Sequence, residues 1–139
     1  MIDEQAWDRM LVLHARVEQE LAKALQRRHG VGLSEYRALA RLAHGPRGGL
    51  RMQELAEAVG LNQSSVSRMC ARLEDAGLTI RDLCEEDRRG VYSMITPAGR
   101  TRFTETQPTY RAVLQAALDK AAGDPELLQA VTAVRGATS

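Results

Sequence analysis

A stretch in the middle of the chain combines small hydroxyls, an amide and arginines in a pattern suited to nucleic acid. At 100° per residue, a helix here gathers an apolar side that carries Val66, Met69, Cys70 and Leu73. The other side and its flanks carry Gln63, Ser64, Ser65, Ser67, Arg68 and Arg72, and no acidic residue occurs from 61 to 73. Glutamine can pair with adenine and arginine with guanine, while small hydroxyls allow close approach. The face therefore suits a recognition helix, although a solvated surface helix would have a similar composition.

A charged segment follows this helix and separates two short strand-like runs, 78–83 and 91–95. The runs predict a β-hairpin with a long tip. Arg88 and Arg89 lie in the tip, where an arginine can enter the negative potential of a minor groove. Asp87 can position such an arginine. A charged, solvated turn is the alternative, and the position directly after the polar helix favours the groove.

Net charge does not support contact with DNA, because it is only +1 for the whole chain. The region 51–102 holds eight arginines and eight acids. The case for DNA therefore rests on where the charges lie. The two cysteines, Cys70 and Cys84, have no metal-ligand or disulfide spacing. There is no phosphate-binding glycine loop, nucleophile elbow or histidine cluster, so we expect no catalysis, cofactor or metal.

Periodicity and capping residues predict a mainly α-helical fold with a small β-hairpin wing: a winged helix-turn-helix plus a helical dimerisation region. A first helix carries an apolar stripe that includes Trp7, Leu11, His14 and Val17. Pro46–Gly49 reads as a connector, Gly60 as the residue that ends the third helix, and Asn62 as the N-cap of the fourth, and we expect a kink at Pro108. The helices are predicted at Asp3–His29, about Ser34–His44 with Ser34 as N-cap, Met52–Val59, Gln63–Ala76, Pro97–Ala121 after a Thr96 N-cap, and a last one starting at Asp124-Pro125.

We predict one domain, 1–139, with a DNA-binding lobe at 34–100 and a dimerisation region formed by 1–33 and 101–139. A first helix of roughly 27 residues is ~40 Å long. A compact monomer of this size is only about 37 Å across. The helix would span its own monomer, so its apolar stripe needs a partner to cover it. No apolar run approaches the ~20 residues of a membrane span, and the polar, acidic N-terminus is no secretory signal, which favours the cytoplasm.

Two segments together resemble the MarR family of bacterial regulators: LAEAVGLNQSSVSRMCARLEDAGL (Leu55–Leu78) and DRRGVYSMITPAG (Asp87–Gly99). The family's wing pattern falls on Asp87, Arg89, Ile95, Thr96 and Gly99, with Ile95 in place of the usual Leu. The resemblance implies a homodimer that binds a pseudo-palindromic operator, usually as a repressor, and that often responds to a small aromatic or phenolic ligand. It also implies that Gln63, Ser64, Ser65, Ser67 and Arg68 face the major groove, and Arg89 with Arg88 the minor groove.

The sequence thus predicts a DNA-binding transcriptional regulator, a ligand-responsive repressor with double-stranded DNA as its partner. His14 could belong to an effector pocket with Trp7, Met10 and Arg16, or could be an ordinary interface histidine. Two other functions stay open: a winged-helix module that binds protein without DNA, and a thiol-based redox sensor. Cys84 is the thiol nearest the wing, but Glu85, Glu86 and Asp87 would raise its pKa and oppose reactivity.

Overall fold

The computed structural model describes residues 2–83 and 91–136. Helices dominate this part of the chain, as the sequence predicts, and three short strands, two of them those of the predicted hairpin, form one antiparallel sheet. The elements are α1 (Ile2–His29), α2 (Leu33–His44), β1 (Gly49–Arg51), α3 (Met52–Val59), α4 (Gln63–Asp75), β2 (Thr79–Leu83), β3 (Val91–Ile95), α5 (Pro97–Ala122) and α6 (Leu128–Gly136). None of the helices in the described ranges has the length and hydropathy that a bilayer span requires.

The chain divides into two compact units. The first consists of Met1–Gly30 with Pro108–Ser139, and the second is Val31–Gln107. Helix α5 continues through Pro108, where the division falls. The kink predicted at this proline and the dimerisation role assigned to 1–33 and 101–139 stay predictions.

The core of the first unit runs along one side of α1. Its buried residues, Leu13, Val17, Leu21 and Leu25, follow each other at intervals of four. They share the interior with small and branched residues of α5 and α6: Ala117, Leu118, Ala121, Ala130 and Val131. The predicted stripe differs at its N-terminal half, because Trp7, Leu11 and His14 are exposed and Leu13 is buried instead. The buried line therefore covers only part of the apolar surface of α1.

The sheet of the second unit has the strand order β1-β3-β2. Strand β1 corrects the prediction of a plain connector at Pro46–Gly49: a 3-10 turn spans Pro46–Gly48, and a strand begins at Gly49. A strand of three residues is too short to show an alternating pattern. On the helical side, Tyr36 and Phe103 stack with their ring centroids 5.7 Å apart. Helices α2, α3 and α4 pack here around a core of Leu39, Leu42, Leu55, Val66, Met69 and Leu73.

Helix starts follow the predicted capping with two corrections. Thr96 Oγ1 accepts a hydrogen bond from the Gly99 N–H (3.0 Å), and α5 begins at Pro97 as predicted. Helix α2 is capped at Gly32 rather than Ser34, since the Gly32 N–H donates to Glu35 Oε2 (3.4 Å). Helix α6 begins at Leu128 instead of Asp124, whose carbonyl accepts from the Leu127 and Leu128 N–H groups in a preceding turn.

Gly99 lies where α5 crosses the start of the sheet, and a larger residue should destabilise this crossing. A Cβ at Gly99 would overlap the Leu78 carbonyl oxygen and come within 2.7 Å of Ile95 Cγ1. We expect Gly99→Ala to cost about 1–3 kcal/mol in the free energy of unfolding through overpacking. Gly136→Ala is the control, because a Cβ there meets nothing within 4 Å. Urea unfolding of both variants at one protein concentration measures the difference, and equal midpoints would contradict the crowding.

Candidate DNA-binding surface

A tight turn between α3 and α4 sets the start of the predicted recognition helix. Gly60 closes α3 with φ +70°, a left-handed conformation that glycine adopts without a steric penalty. Two residues later, Asn62 Oδ1 accepts a hydrogen bond from the Ser65 N–H (2.9 Å). This bond satisfies one of the free N–H groups at the start of the helix. Both roles were predicted from the sequence, and both are confirmed.

One side of helix α4 is buried, and the opposite side is exposed to solvent. Val66, Met69, Cys70 and Leu73 are each at most 1% exposed, which confirms the predicted inner side. The opposite side is exposed at Gln63, Ser64, Ser67 and Arg68, and Ser65 is half-buried. The structure thus brings five of the predicted contact residues onto one surface of the first two turns. Their contact with bases stays a prediction.

Hydrogen bonds within this surface limit the freedom of its polar groups. Ser64 Oγ donates to Asn62 Oδ1 (2.9 Å), so one side-chain oxygen of Asn62 serves both the helix cap and a hydroxyl. Arg68 Nη2 donates to Ser65 Oγ (3.3 Å), which is one turn earlier. The guanidinium of Arg68 has further N–H donors, and a base or phosphate can accept from them.

Arg72, predicted to contact DNA, is engaged in an ion pair. Its Nε donates to Glu35 Oε1 at 3.0 Å, while the other oxygen of Glu35 caps α2 through Gly32. The Glu35 side chain is 24% exposed and that of Arg72 is 60% exposed. A phosphate would therefore compete with a positioned carboxylate for Arg72. The sequence interpretation missed Glu35, because residues 37 positions apart give no local pattern.

Polar contacts also join the sheet to its neighbours in the second unit. Arg81 of β2 donates from Nε to Glu74 Oε1 of α4 (2.6 Å). Thr96 Oγ1 donates to the carbonyl oxygen of Gly77 (2.7 Å), just before β2. These contacts fix the base of the β2–β3 hairpin against α4. The predicted wing residues Asp87, Arg88 and Arg89, and also Cys84, lie outside the described residues.

The other cysteine, Cys70, is fully buried on the inner side of α4. Burial raises the pKa of its thiol, and the negative charge of Glu74 adds to this, while Arg81 and the Ser93 hydroxyl act in the opposite direction. A thiol that stays protonated and inaccessible is unsuited to redox sensing. Cys70 acts as a small core residue, in line with its position on the inner side.

The predicted effector residues all lie on α1 and differ in their exposure. Trp7 is 63% exposed, His14 is exposed with Nε2 3.8 Å from Glu18 Oε1, and Met10 is half-buried. Arg16 alone of the four lines the cavity of about 350 Å³ between α1 and α5. Arg16 pairs there with Asp124 at 3.3 Å. In the described ranges, no group of three or more His, Cys, Asp or Glu side chains could hold a metal ion.

Residues 29–90 match the MarR family model. No curated protein sequence is significantly similar to the chain. Among solved structures, AbsC and Sco3205 of Streptomyces coelicolor, both described as MarR family transcriptional regulators, are each 29% identical to it. AbsC matches over 93% of this chain and 86% of its own with a TM-score of 0.77. Sco3205, solved in complex with DNA, matches over 95% and 82% with a TM-score of 0.78.

A more distant structure, BpsR of Bordetella bronchiseptica, shares the fold at 20% identity, covering 91% of this chain and 88% of its own with a TM-score of 0.71. BpsR is described as regulated in its DNA binding by 6-hydroxynicotinic acid. The family model covers the turn between α3 and α4, and the two Streptomyces structures extend the likeness over nearly the whole chain. The chain is therefore similar to MarR family transcriptional regulators in sequence over residues 29–90 and in fold over nearly its whole length.

Proposed function

We propose that this protein binds a pseudo-palindromic DNA operator as a homodimer and represses transcription until a small effector binds. The observation that carries the proposal is the outer side of α4, exposed over its first two turns and free of acids from 61 to 73. Sco3205, solved on DNA, supports DNA as the partner. Members of the MarR family are regulators rather than enzymes, which agrees with the absence of catalysis predicted from the sequence.

The contacts divide between two grooves. Arg68 reads a guanine and Gln63 an adenine in the major groove, where the hydroxyls of Ser64, Ser65 and Ser67 contact phosphates or base edges. Arg89, with Arg88, enters the minor groove, and Asp87 positions it. Arg72 has a smaller part than the sequence suggested, because a phosphate must displace Glu35 from it. We assign Arg72 chiefly to holding α4 on α2.

Dimer formation is supported by apolar side chains that the first unit leaves uncovered. Large hydrophobic residues are exposed on α1 and α6: Ile2 (82%), Trp7 (63%), Leu11 (49%), Val12 (44%), Leu128 (51%) and Val134 (40%). Single exposed apolar residues are ordinary on a soluble protein, whereas a group on the terminal helices indicates an interaction surface. In a dimer with two-fold symmetry, each copy would cover the exposed apolar side chains of the other in the same way.

Regulation by an effector is the third part of the proposal. Its support is BpsR, a protein of the same fold whose DNA binding is regulated by 6-hydroxynicotinic acid. Of the residues that the sequence proposes for the effector site, Trp7 and His14 are exposed on α1, Met10 is half-buried, and Arg16 pairs with Asp124.

Two alternatives have less support. A protein-binding module without DNA function would use the acids that follow the recognition surface, but Glu74 is paired with Arg81. A redox sensor would need a reactive thiol, and Cys70 is buried with a raised pKa. Cys84 lies outside the described residues and stays open on the sequence argument alone.

Arginine substitutions in the two proposed groove contacts should weaken DNA binding. We expect Arg68→Ala to reduce specific affinity by roughly 1–3 kcal/mol and to relax selectivity at one base position. Arg89→Ala should weaken binding without unfolding the protein. Fluorescence anisotropy with promoter DNA next to the protein's own gene measures both, over a series of salt concentrations. Arg9→Ala, on the exposed part of α1, is the control, and unchanged affinity in both test variants would refute the contact assignment.

A charge placed among the exposed apolar residues of α1 should break the dimer. Leu11→Glu buries an unpaired carboxylate in the proposed interface, which is costly, so we expect a monomer at micromolar concentration. Arg9→Glu is the matched control, because Arg9 lies about 200° around the helix from Leu11. Sedimentation velocity distinguishes the two species. A wild-type protein that sediments as a monomer would remove the dimer from the proposal.

A further inference from the structure

The outer face of the three-stranded sheet carries two rows of side chains that the strand register aligns. Gly49 and Ile80 lie opposite Met94, and Arg51 and Asp82 lie opposite Tyr92. Ser93, between Tyr92 and Met94, is completely buried, so these two neighbours project from the other face of the sheet. Ile80 is 56% exposed at the end of the first row. This face is separate from the side of the sheet that packs against α4.

A cavity of about 490 Å³ opens on this face. The 3-10 turn, strand β1 and Glu54 of α3 form one wall, and Asp82, Tyr92 and Met94 form the other. Its volume is within the range of roughly 300–1,000 Å³ found for small-molecule sites. A Cβ at Gly49 would clash with Met94 Sδ, so glycine at this position leaves room for the thioether along the wall.

The polar groups of the cavity are positioned before any ligand arrives. Arg51 Nε donates to the hydroxyl oxygen of Tyr92 (3.0 Å), and its guanidinium carbon lies 5.7 Å from the centroid of that ring. Because the phenol oxygen accepts from Arg51, its O–H proton remains available to a ligand acceptor. Asp82, the strand neighbour of Tyr92 on the other side, adds a carboxylate that can accept from a ligand donor.

The charges that line the cavity balance. Arg47 and Arg51 supply two positive charges, and Glu54 and Asp82 supply two negative charges. Such a lining gives no net attraction to an anion, in contrast to the acid-free side of α4. Pro46, Leu50 and Met94 add apolar surface beside the Tyr92 ring. Methionine sulfur and aromatic faces pack favourably against a flat ring.

We propose that this cavity binds a small, uncharged, planar aromatic molecule that carries hydroxyl or amide groups, and that it is the effector site of the regulator. The ring lies against Tyr92 and Met94, an acceptor of the ligand takes the Tyr92 O–H, and a donor of the ligand bonds to Asp82. The effector role rests on the proposed function. Asp82 and Tyr92 stand on the two strands that flank the predicted wing residues, so occupancy of the cavity acts on the position of these strands.

Binding of 4-hydroxybenzamide to the protein of residues 1–139, without DNA, tests the proposed site. Calorimetry gives the dissociation constant, and the methionine methyl signals in an NMR spectrum locate the site. We expect the Met94 methyl to shift on titration. Tyr92→Phe and Asp82→Asn should each raise the dissociation constant about fivefold, the effect of losing one hydrogen bond of about 1 kcal/mol. Tyr110→Phe, the same substitution on α5, should leave it unchanged.

Three outcomes would overturn the site: an unmoved Met94 signal, equal loss in Tyr110→Phe, or 4-hydroxybenzoate binding more tightly than the amide. DNA binding is measured separately by anisotropy, with and without the amide. If the amide shifts Met94 but DNA affinity is the same in its presence, the effector role is wrong and the cavity is a binding site only. If the protein binds no DNA at all while Met94 still shifts, the proposed function fails and the site stands.

Discussion

The architecture of the second unit depends on the burial of one side of α4. Four side chains at intervals of three and four residues are withdrawn from water, and the valine, the methionine and the leucine among them each contribute roughly 1.5–3 kcal/mol. The four are Val66, Met69, Cys70 and Leu73. Because this side faces the core, the other side must face solvent, and its small polar residues lie on one surface. The same burial keeps the thiol of Cys70 protonated. The exposure of the polar side of α4 and the low reactivity of the thiol therefore both follow from the packing of this one side.

Polar contacts then fix the orientation of α4 and so the direction that its exposed side faces. Glu35 binds Arg72 and the Gly32 N–H, so one carboxylate ties α4 to the start of α2. Glu74 binds Arg81 and ties the same helix to β2. Each pair is partly exposed and contributes at most about 1 kcal/mol to stability. Their effect is on orientation, since a recognition helix must hold its side chains in register with base edges.

The sequence predicted features that depend on local order along the chain. The helical period of the apolar residues predicted the inner side of α4. Single residues with one dominant role, such as Gly60, Asn62 and Thr96, marked the helix ends. It could not predict β1, whose three residues carry no period, or the ion pair of Arg72 with Glu35. It also placed His14 on the apolar stripe of α1 and left out Leu13, which is buried. On a long helix with apolar residues on several sides, periodicity does not say which side the core takes.

The distribution of charge explains how a chain with a net charge of only +1 can bind DNA. Acidic residues do occur near the proposed surface. Two of them form ion pairs beside α4, Glu35 with Arg72 and Glu74 with Arg81. The first two turns are left with Arg68 and hydroxyl groups. Because the net charge of the chain is only +1, non-specific attraction to phosphates is weak, so affinity must come from specific contacts. The cavity on the sheet likewise has its charges paired, since two positive and two negative side chains line it. Such a cavity can hold a neutral ring and does not attract the phosphate backbone away from α4.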